Sequence, residues 1–151
     1  MSYIENNLLP DEVVVYRAKP HWIMFAWSVV FLVLSLVFFA TRGGVGGFGI
    51  LFLMAAIFTG VGEFVRYSTL EFGITNRRVL GKAGLIRRHS IDMLLQKIES
   101  IQINQGLLGR ALGYGTVTVI GTGGTREFFS MIDAPLEFRR KAHEEIEKSG
   151  K

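Results

Sequence analysis

One apolar stretch, from Trp22 to Gly62, most limits what this chain can fold into. Its only charged residue is Arg42, which lies between nineteen uncharged residues at Trp22 to Ala40 and twenty at Gly43 to Gly62. A helix rises about 1.5 Å per residue, so about twenty residues cross a hydrocarbon core of about 30 Å. Because a backbone in lipid must satisfy its own hydrogen bonds, helices are favoured. We therefore predict a hairpin of two transmembrane helices.

Two other interpretations of this stretch fit less well. A cleaved signal peptide would start close to residue 1, whereas this stretch follows about twenty polar or mixed residues. The letters from Gly44 match the dinucleotide pattern G-x-G-x-x-G, but Leu, Phe, Met and Ala follow them instead of an amphipathic helix. We interpret these glycines as the turn between the helices. Close helix packing could also use the small residues Gly47, Ala56 and Gly60.

Basic residues predict the orientation of the hairpin. The turn carries only Arg42, whereas Arg17 and Lys19 precede the first helix, and further basic residues follow the second. Lys and Arg prefer the cytoplasmic side of a membrane, so we expect both termini in the cytoplasm. From Arg66 to Arg126 the chain has nine basic and three acidic residues. Close to an anionic leaflet, each basic group can gain about 1 kcal/mol.

The residues outside the apolar stretch predict seven short strands and a final helix. EVVVYRAK, from Glu12 to Lys19, is rich in β-branched residues and is followed by Pro20. Later segments alternate and are separated by turns such as Gly123-Gly124. Phe138, Ala142 and Ile146 recur every four positions and give one apolar helix face. The predicted strands are 13–18, 65–74, 78–82, 85–91, 97–103, 115–120 and 126–132.

This order of elements predicts an α+β membrane protein in which a seven-stranded antiparallel β-barrel, or alternatively a sandwich, is capped by a C-terminal helix. We expect an N-terminal segment at 1–20 that supplies the first strand, a transmembrane hairpin at 21–64, and the rest of the domain at 65–151. The hairpin is then an insertion within the barrel domain, connected to it at both ends.

Several short segments resemble a known family. They are ITNRR at Ile74 to Arg78, KIESIQI at Lys97 to Ile103, LGYGTV at Leu112 to Val117 and GTGG at Gly121 to Gly124. With the two apolar segments before them and a helix after them, they are similar to the bacterial pleckstrin-homology (PH) domain-like membrane proteins, formerly grouped as a domain of unknown function. The resemblance covers Glu12 to Glu147 and implies a PH-like barrel at the cytoplasmic face of the bacterial inner membrane. It implies no particular activity, because a fold does not fix a function.

Catalytic chemistry has little support in this sequence. His21, His89 and His143 each lack a second ligand at metal-binding spacing, and there is no cysteine. The chain has no nucleophile elbow and no phosphate loop. We therefore expect no enzyme activity, no metal and no cofactor. Because the basic segment is tethered to a membrane, we also expect no nucleic-acid partner.

Two surfaces are candidates for binding. The first is basic, and if one hairpin brings its residues together they could hold the phosphates of anionic lipids; the alternative is an ordinary solvated surface. Its members are Arg77, Arg78, Lys82, Arg87 and Arg88. The second is apolar and lies within Gln105 to Gly115. It either plugs one end of the barrel, the commoner outcome, or forms an exposed contact for a partner or a second copy. Its members are Leu107, Leu108, Leu112 and Tyr114.

These features predict a non-catalytic, membrane-anchored interaction or scaffold module that contacts membrane lipids and either self-associates or binds a membrane-protein partner. The alternative is an accessory subunit of a transport or export complex. Transport paths usually contain ionisable groups inside the membrane, and their near absence from the two apolar segments counts against a conducting role.

Overall fold

The computed structural model describes residues 3–41, 46–84 and 89–149. The chain divides into two compact units. The larger unit combines Met1–His21 with Thr69–Lys151, and the smaller unit is Trp22–Ser68. The smaller unit is therefore an insertion in the sequence of the larger one.

The described elements are five α-helices and seven strands. The helices are α1 (Tyr3–Asn6), α2 (Ala26–Ala40), α3 (Gly46–Thr69), α4 (Leu107–Leu112) and α5 (Pro135–Ser149). The strands are β1 (Val14–Ala18), β2 (Glu71–Thr75), β3 (Arg78–Ala83), β4 (His89–Leu94), β5 (Ile98–Asn104), β6 (Tyr114–Gly121) and β7 (Arg126–Asp133). Short 3-10 helices cover Trp22–Phe25 and Leu95–Lys97.

The smaller unit consists of two helices that are long and apolar enough to cross a membrane, at Trp22–Ala40 and Gly46–Thr69. Only 11% of each apolar window is buried, whereas a core helix of a soluble protein is mostly buried. The two helices contact each other through the stacked rings of Phe38 and Phe52, whose centroids are 5.3 Å apart. Ser35 Oγ also donates a hydrogen bond to Gly49 O at 2.8 Å.

The predicted strand at 65–74 is wrong over its first half. Helix α3 continues to Thr69, and β2 begins only at Glu71. The alternation of Val65 and Tyr67 with polar residues resembles a strand, but the helix provides local partners here. Ser68 Oγ donates to Phe64 O at 2.8 Å, one helical turn earlier. The second apolar helix is therefore longer than the sequence pattern indicated.

The seven strands of the larger unit form two antiparallel sheets instead of the predicted closed barrel. One sheet has the order β1-β2-β3-β4 and the other β5-β6-β7. Among the residues that the structure describes, β4 and β5 are not paired, since the 3-10 helix at Leu95–Lys97 turns the chain between them. Of the predicted strand 85–91, residues 85–88 lie outside the described part of the chain.

The two sheets are joined on the side of β1. The chain after β1 continues beside β7, where Pro20 forms a bridge with Ile132. The His21 N–H donates to Met131 O at 2.7 Å, and the Asp133 N–H donates to Lys19 O at 2.9 Å. The first strand therefore belongs to one sheet and its continuation contacts the other.

A stack of aromatic rings connects both sheets with α5. The ring of Phe72 on β2 lies 3.8 Å from that of Phe129 on β7 and 4.5 Å from that of Phe138 on α5, measured between centroids. All three side chains are buried. Ala142 is also buried and Ile146 packs against the same core, so the predicted apolar face of the final helix is confirmed.

We expect Gly81→Ala to destabilise the larger unit. A Cβ atom at Gly81 would lie 2.6 Å from Cζ of Phe129, inside the aromatic stack. Overpacking a filled core of this kind costs about 1–3 kcal/mol. The measurement is the thermal unfolding midpoint of the full-length protein in detergent. Gly123→Ala is the matched control, because a Cβ atom there has no neighbour within 4 Å. Equal midpoints for the two variants would contradict the described packing.

Candidate functional site

The turn between β2 and β3 forms hydrogen bonds with the segment that precedes β1. Thr75 Oγ1 accepts the N–H groups of Arg77 and Arg78 at 3.2 and 3.0 Å, and lies 2.6 Å from Glu12 Oε1, to which it donates. Asn76 Oδ1 accepts the Val13 N–H at 3.1 Å, and the Asn76 N–H donates back to Val13 O at 3.1 Å. The turn therefore holds Glu12 and Val13 beside the sheet.

Arg78, predicted as a lipid-binding residue, lies in a buried ion pair. Its Nε and Nη2 donate to the two carboxylate oxygens of Glu12, each at 2.9 Å. Nη2 also donates to Asn7 O at 2.7 Å, and Nη1 is paired with Asp92. The side chains of Arg78 and Glu12 are only 10% and 0% exposed. Bidentate pairing of this kind is geometrically specific. In this structure the guanidinium of Arg78 therefore binds acceptors within the protein instead of lipid phosphates.

The cluster of Arg78, Glu12 and Asp92 stabilises the fold. The hydrogen bonds from Arg78 lower the pKa of Glu12 from 4.5 to about 2, against the opposing effect of desolvation. The same bond to Glu12 raises the pKa of Arg78. Both groups are charged at neutral pH, and removing one charge would leave the other buried and poorly compensated.

We expect Glu12→Gln to lower stability in a pH-dependent way. The folded pKa lies below its unfolded value, so the stabilisation is fully present above pH 4.5 and is lost as the pH falls through about 2. A shift of this size corresponds to about 3 kcal/mol. The measurement compares unfolding midpoints of the full-length protein and the variant between about pH 7 and about pH 3.

Glu5→Gln is the control for this experiment. Glu5 pairs with Arg17 at 2.8 Å, but both side chains are largely exposed, and such pairs contribute about 0–1 kcal/mol. The difference between wild type and Glu12→Gln should shrink as the pH falls. A difference that stayed constant over this range would show that ionised Glu12 does not stabilise the fold.

Two of the other basic candidates, Arg77 and Lys82, lie in the described part of the chain and are far apart. Arg77 is exposed in the turn before β3, and Lys82 lies near the far end of β3, opposite Glu71. At about 3.3 Å per residue along a strand, the two positions are roughly 16 Å apart. Arg77 and Lys82 therefore lie near opposite ends of β3, and the expectation that a hairpin brings all five basic residues into one region stays a prediction. Arg87 and Arg88 lie outside the described residues.

Lys82 lies at the end of the sheet where the chain leaves and re-enters the larger unit. Ala18, at the end of β1, is opposite Phe72 near the start of β2, and Glu71 is opposite Lys82. Lys19 is exposed at the same end of β1, and Lys82 is half-buried with its Nζ 5.2 Å from the centre of the Tyr3 ring. Two basic side chains, Lys19 and Lys82, therefore lie near the end of β1 and the start of β2, which are the strands that connect to the two apolar helices.

The three leucines among the apolar candidates lie on α4 and are exposed instead of plugging a barrel. The exposed fraction is 87% for Leu107, 69% for Leu108 and 43% for Leu112. Tyr114 is half-buried, and its ring lies 5.2 Å from the ring of His21. The favoured expectation of a buried plug is therefore wrong for the leucines.

Helix α4 is held in a fixed position by its neighbours. Gln105 Nε2 donates to Gly109 O at 3.3 Å and to Tyr114 O at 2.9 Å. Gly113 ends the helix with φ of 81°, a conformation that suits glycine, and its carbonyl accepts the Ala134 N–H at 2.9 Å. The outward direction of the leucines is therefore part of the fold.

The small residues of the apolar helices differ in their surroundings. Ala56 is buried, and a Cβ atom at Gly60 would lie 3.6 Å from Oγ of Ser28 in the neighbouring helix. Gly60 therefore faces α2 of the same chain. A Cβ atom at Gly47 would meet nothing within 4 Å. In the described ranges, no group of three His, Cys, Asp or Glu side chains could hold a metal ion.

Comparison with known proteins decides the family. The sequence pattern of the bacterial PH domain matches residues 26–147, which is most of the chain. This chain belongs to the bacterial PH domain family. The chain is also similar to the UPF0699 transmembrane protein YdbT of Bacillus subtilis strain 168, with 27% identity over 71 residues. These residues make up 47% of the chain and only 14% of that relative. No solved structure matches the chain.

The family match leaves out the first part of the larger unit. It begins at residue 26, after β1 and Glu12. In the structure, however, β1 pairs with β2 and Glu12 pairs with Arg78. The segment before the apolar helices is therefore an integral part of the larger unit. Sequence analysis found the strand but missed Glu12 and Asp92 as partners of Arg78.

Proposed function

We propose that this bacterial PH-domain protein is a non-catalytic interaction module anchored in the bacterial inner membrane by α2 and α3. The exposed apolar side chains of both helices support membrane insertion, since a surface of this kind is unfavourable in water. The Bacillus subtilis relative is named a transmembrane protein, which agrees with membrane insertion. The excess of Lys and Arg outside the hairpin favours a cytoplasmic location for the larger unit and both termini.

The observation that carries this proposal is the pairing of β1 with β2 around the inserted helices. Ala18 and Phe72 are opposite each other in this ladder, so the chain leaves this sheet after β1 and returns to the same end of it at β2. Two covalent connections to the anchoring helices keep the domain next to the bilayer. It then works close to the membrane surface, where its partners are lipids and other membrane-bound molecules.

The same end of the sheet provides the proposed lipid contact. Lys19 and Lys82 lie there, and Arg87 and Arg88 follow in the segment that connects β3 to β4. Basic groups beside an anionic leaflet each gain about 1 kcal/mol. We leave Arg78 out of the lipid-contacting set because its guanidinium is paired with Glu12 and Asp92. We also leave out Arg77, which lies at the other end of β3.

We expect the triple variant Lys82→Ala/Arg87→Ala/Arg88→Ala to lose its preference for anionic lipid. The full-length protein is equilibrated in detergent with equal phosphatidylglycerol and phosphatidylcholine, and the retained lipids are counted by native mass spectrometry. If each basic group contributes about 1 kcal/mol, the preference falls about fivefold for each group lost and about 100-fold for all three.

The matched control removes the same charge from the opposite end of the larger unit. Its substitutions are Arg77→Ala, Lys97→Ala and Arg126→Ala, all at exposed positions. Ile98, next to Lys97, is opposite Gly121, and Arg126 is opposite Ile120, so both lie at the far end of the second sheet. The control should keep the lipid preference. Equal loss in both variants would mean that net charge alone sets the preference, and no loss in either would exclude lipid contact by these residues.

A further inference from the structure

Helix α4 has an apolar face that has no role in the proposed head-group contact. Successive residues of a helix are about 100° apart, so its four apolar side chains fall within an arc of about 140°. These are Leu107, Leu108, Ala111 and Leu112. Arg110 is exposed beside this arc. The helix therefore presents leucines on one side with a cation at the margin.

The opposite side of α4 packs against the larger unit. Gly109 is buried, and a Cβ atom there would lie 2.6 Å from Tyr114 O. Only glycine allows this close approach of helix and strand. Together with the hydrogen bonds from Gln105, this contact keeps the leucines directed away from the domain.

The position of α4 in the larger unit points to the membrane surface. Tyr114, two residues after the end of α4, contacts the ring of His21. His21 is the last residue of the larger unit before the first candidate span, which begins at Trp22. The exposed leucines therefore lie beside the point at which the chain would enter the bilayer.

The charges around α4 favour an anionic leaflet. The segment from Gln105 to Gly115 contains Arg110 and no acidic residue. Lys19 and Asp133 are both exposed nearby, since Lys19 O accepts the N–H of Asp133, the residue opposite Tyr114 on β7. These two opposite charges offset each other, so Arg110 leaves the region with a net positive charge. Long basic side chains can keep their charge at the phosphates while neighbouring apolar groups enter the acyl boundary.

We propose that α4 inserts its leucines into the interfacial layer of the leaflet to which the domain is anchored, with Arg110 at the level of the phosphates. This inference rests on the proposed membrane anchoring. Apolar faces of interfacial helices are buried about 5–10 Å into the boundary between head groups and acyl chains. The inserted helix acts as a third attachment, beside the two chain crossings, and fixes the tilt of the domain on the membrane.

The absence of cysteine from the sequence makes a depth measurement direct. Single variants Leu107→Cys and Leu108→Cys are labelled with an environment-sensitive fluorophore in the full-length protein, in nanodiscs of phosphatidylcholine and phosphatidylglycerol. Quenching is measured with doxyl-labelled lipids and, separately, with aqueous iodide. Both labels should be quenched by the lipid probe, and their iodide quenching should be about fivefold weaker than that of a water-exposed label.

Two control positions make the outcomes distinguishable. Thr122 is exposed just after the other end of β6, roughly 26 Å from Tyr114. A label on Thr122→Cys should be quenched strongly by iodide and not by the lipid probe. Leu36→Cys lies on the exposed side of α2 and reports membrane insertion itself. Lipid quenching at Leu36→Cys with strong iodide quenching at both α4 positions would overturn the inference and leave the anchoring intact.

The remaining outcomes also give clear answers. Labels on α4 that are shielded from both quenchers would lie against protein, such as a second copy of the chain, and would overturn leaflet insertion. Absence of lipid quenching at Leu36→Cys would overturn the anchoring and the inference together.

Discussion

Hydrogen bonding of β1 to β2 is the interaction on which the larger unit depends. It places Ala18 in the core and brings Tyr16 to 6.1 Å from the ring of Phe138, measured between centroids. The continuation of β1 beside β7 then connects the two sheets. Since the ladder forms around an inserted helical hairpin, it also fixes where the chain leaves the domain and where it returns.

Much of this fold could be predicted from the sequence, because several signals are local. The uncharged runs defined the two long helices, and the four-residue repeat of Phe138, Ala142 and Ile146 defined the buried face of α5. The residues from Val65 to Thr69 were misassigned because β-branched and aromatic residues alternate there with polar ones. The helix continues through them, and alternation over a few residues does not distinguish the two structures. Closure into a barrel also depends on strand pairing that no local pattern records.

The candidate sites were harder to predict because their contacts are distant in sequence. Arg78 looked like a solvated turn residue, yet its main partner, Glu12, is 66 residues away. The sequence of the α4 leucines favoured a buried plug over an exposed face, because apolar side chains are more often buried. Their direction depends on the backbone contact at Gly109 and on the side chain of Gln105. Neither contact follows from hydropathy, although closely spaced glycines do indicate that backbones can approach each other.

The position of β1 in the chain also sets the order of events during synthesis. β1 leaves the ribosome before the apolar helices, but its ladder partner Phe72 and its later neighbour Ile132 are made only after them. The strand therefore has no ladder partner while the two helices are translated. Closing contacts of such long range is slow, and waiting strands are prone to wrong pairing. Folding of the larger unit is thus coupled to synthesis of the two inserted helices, and its sheets are completed last.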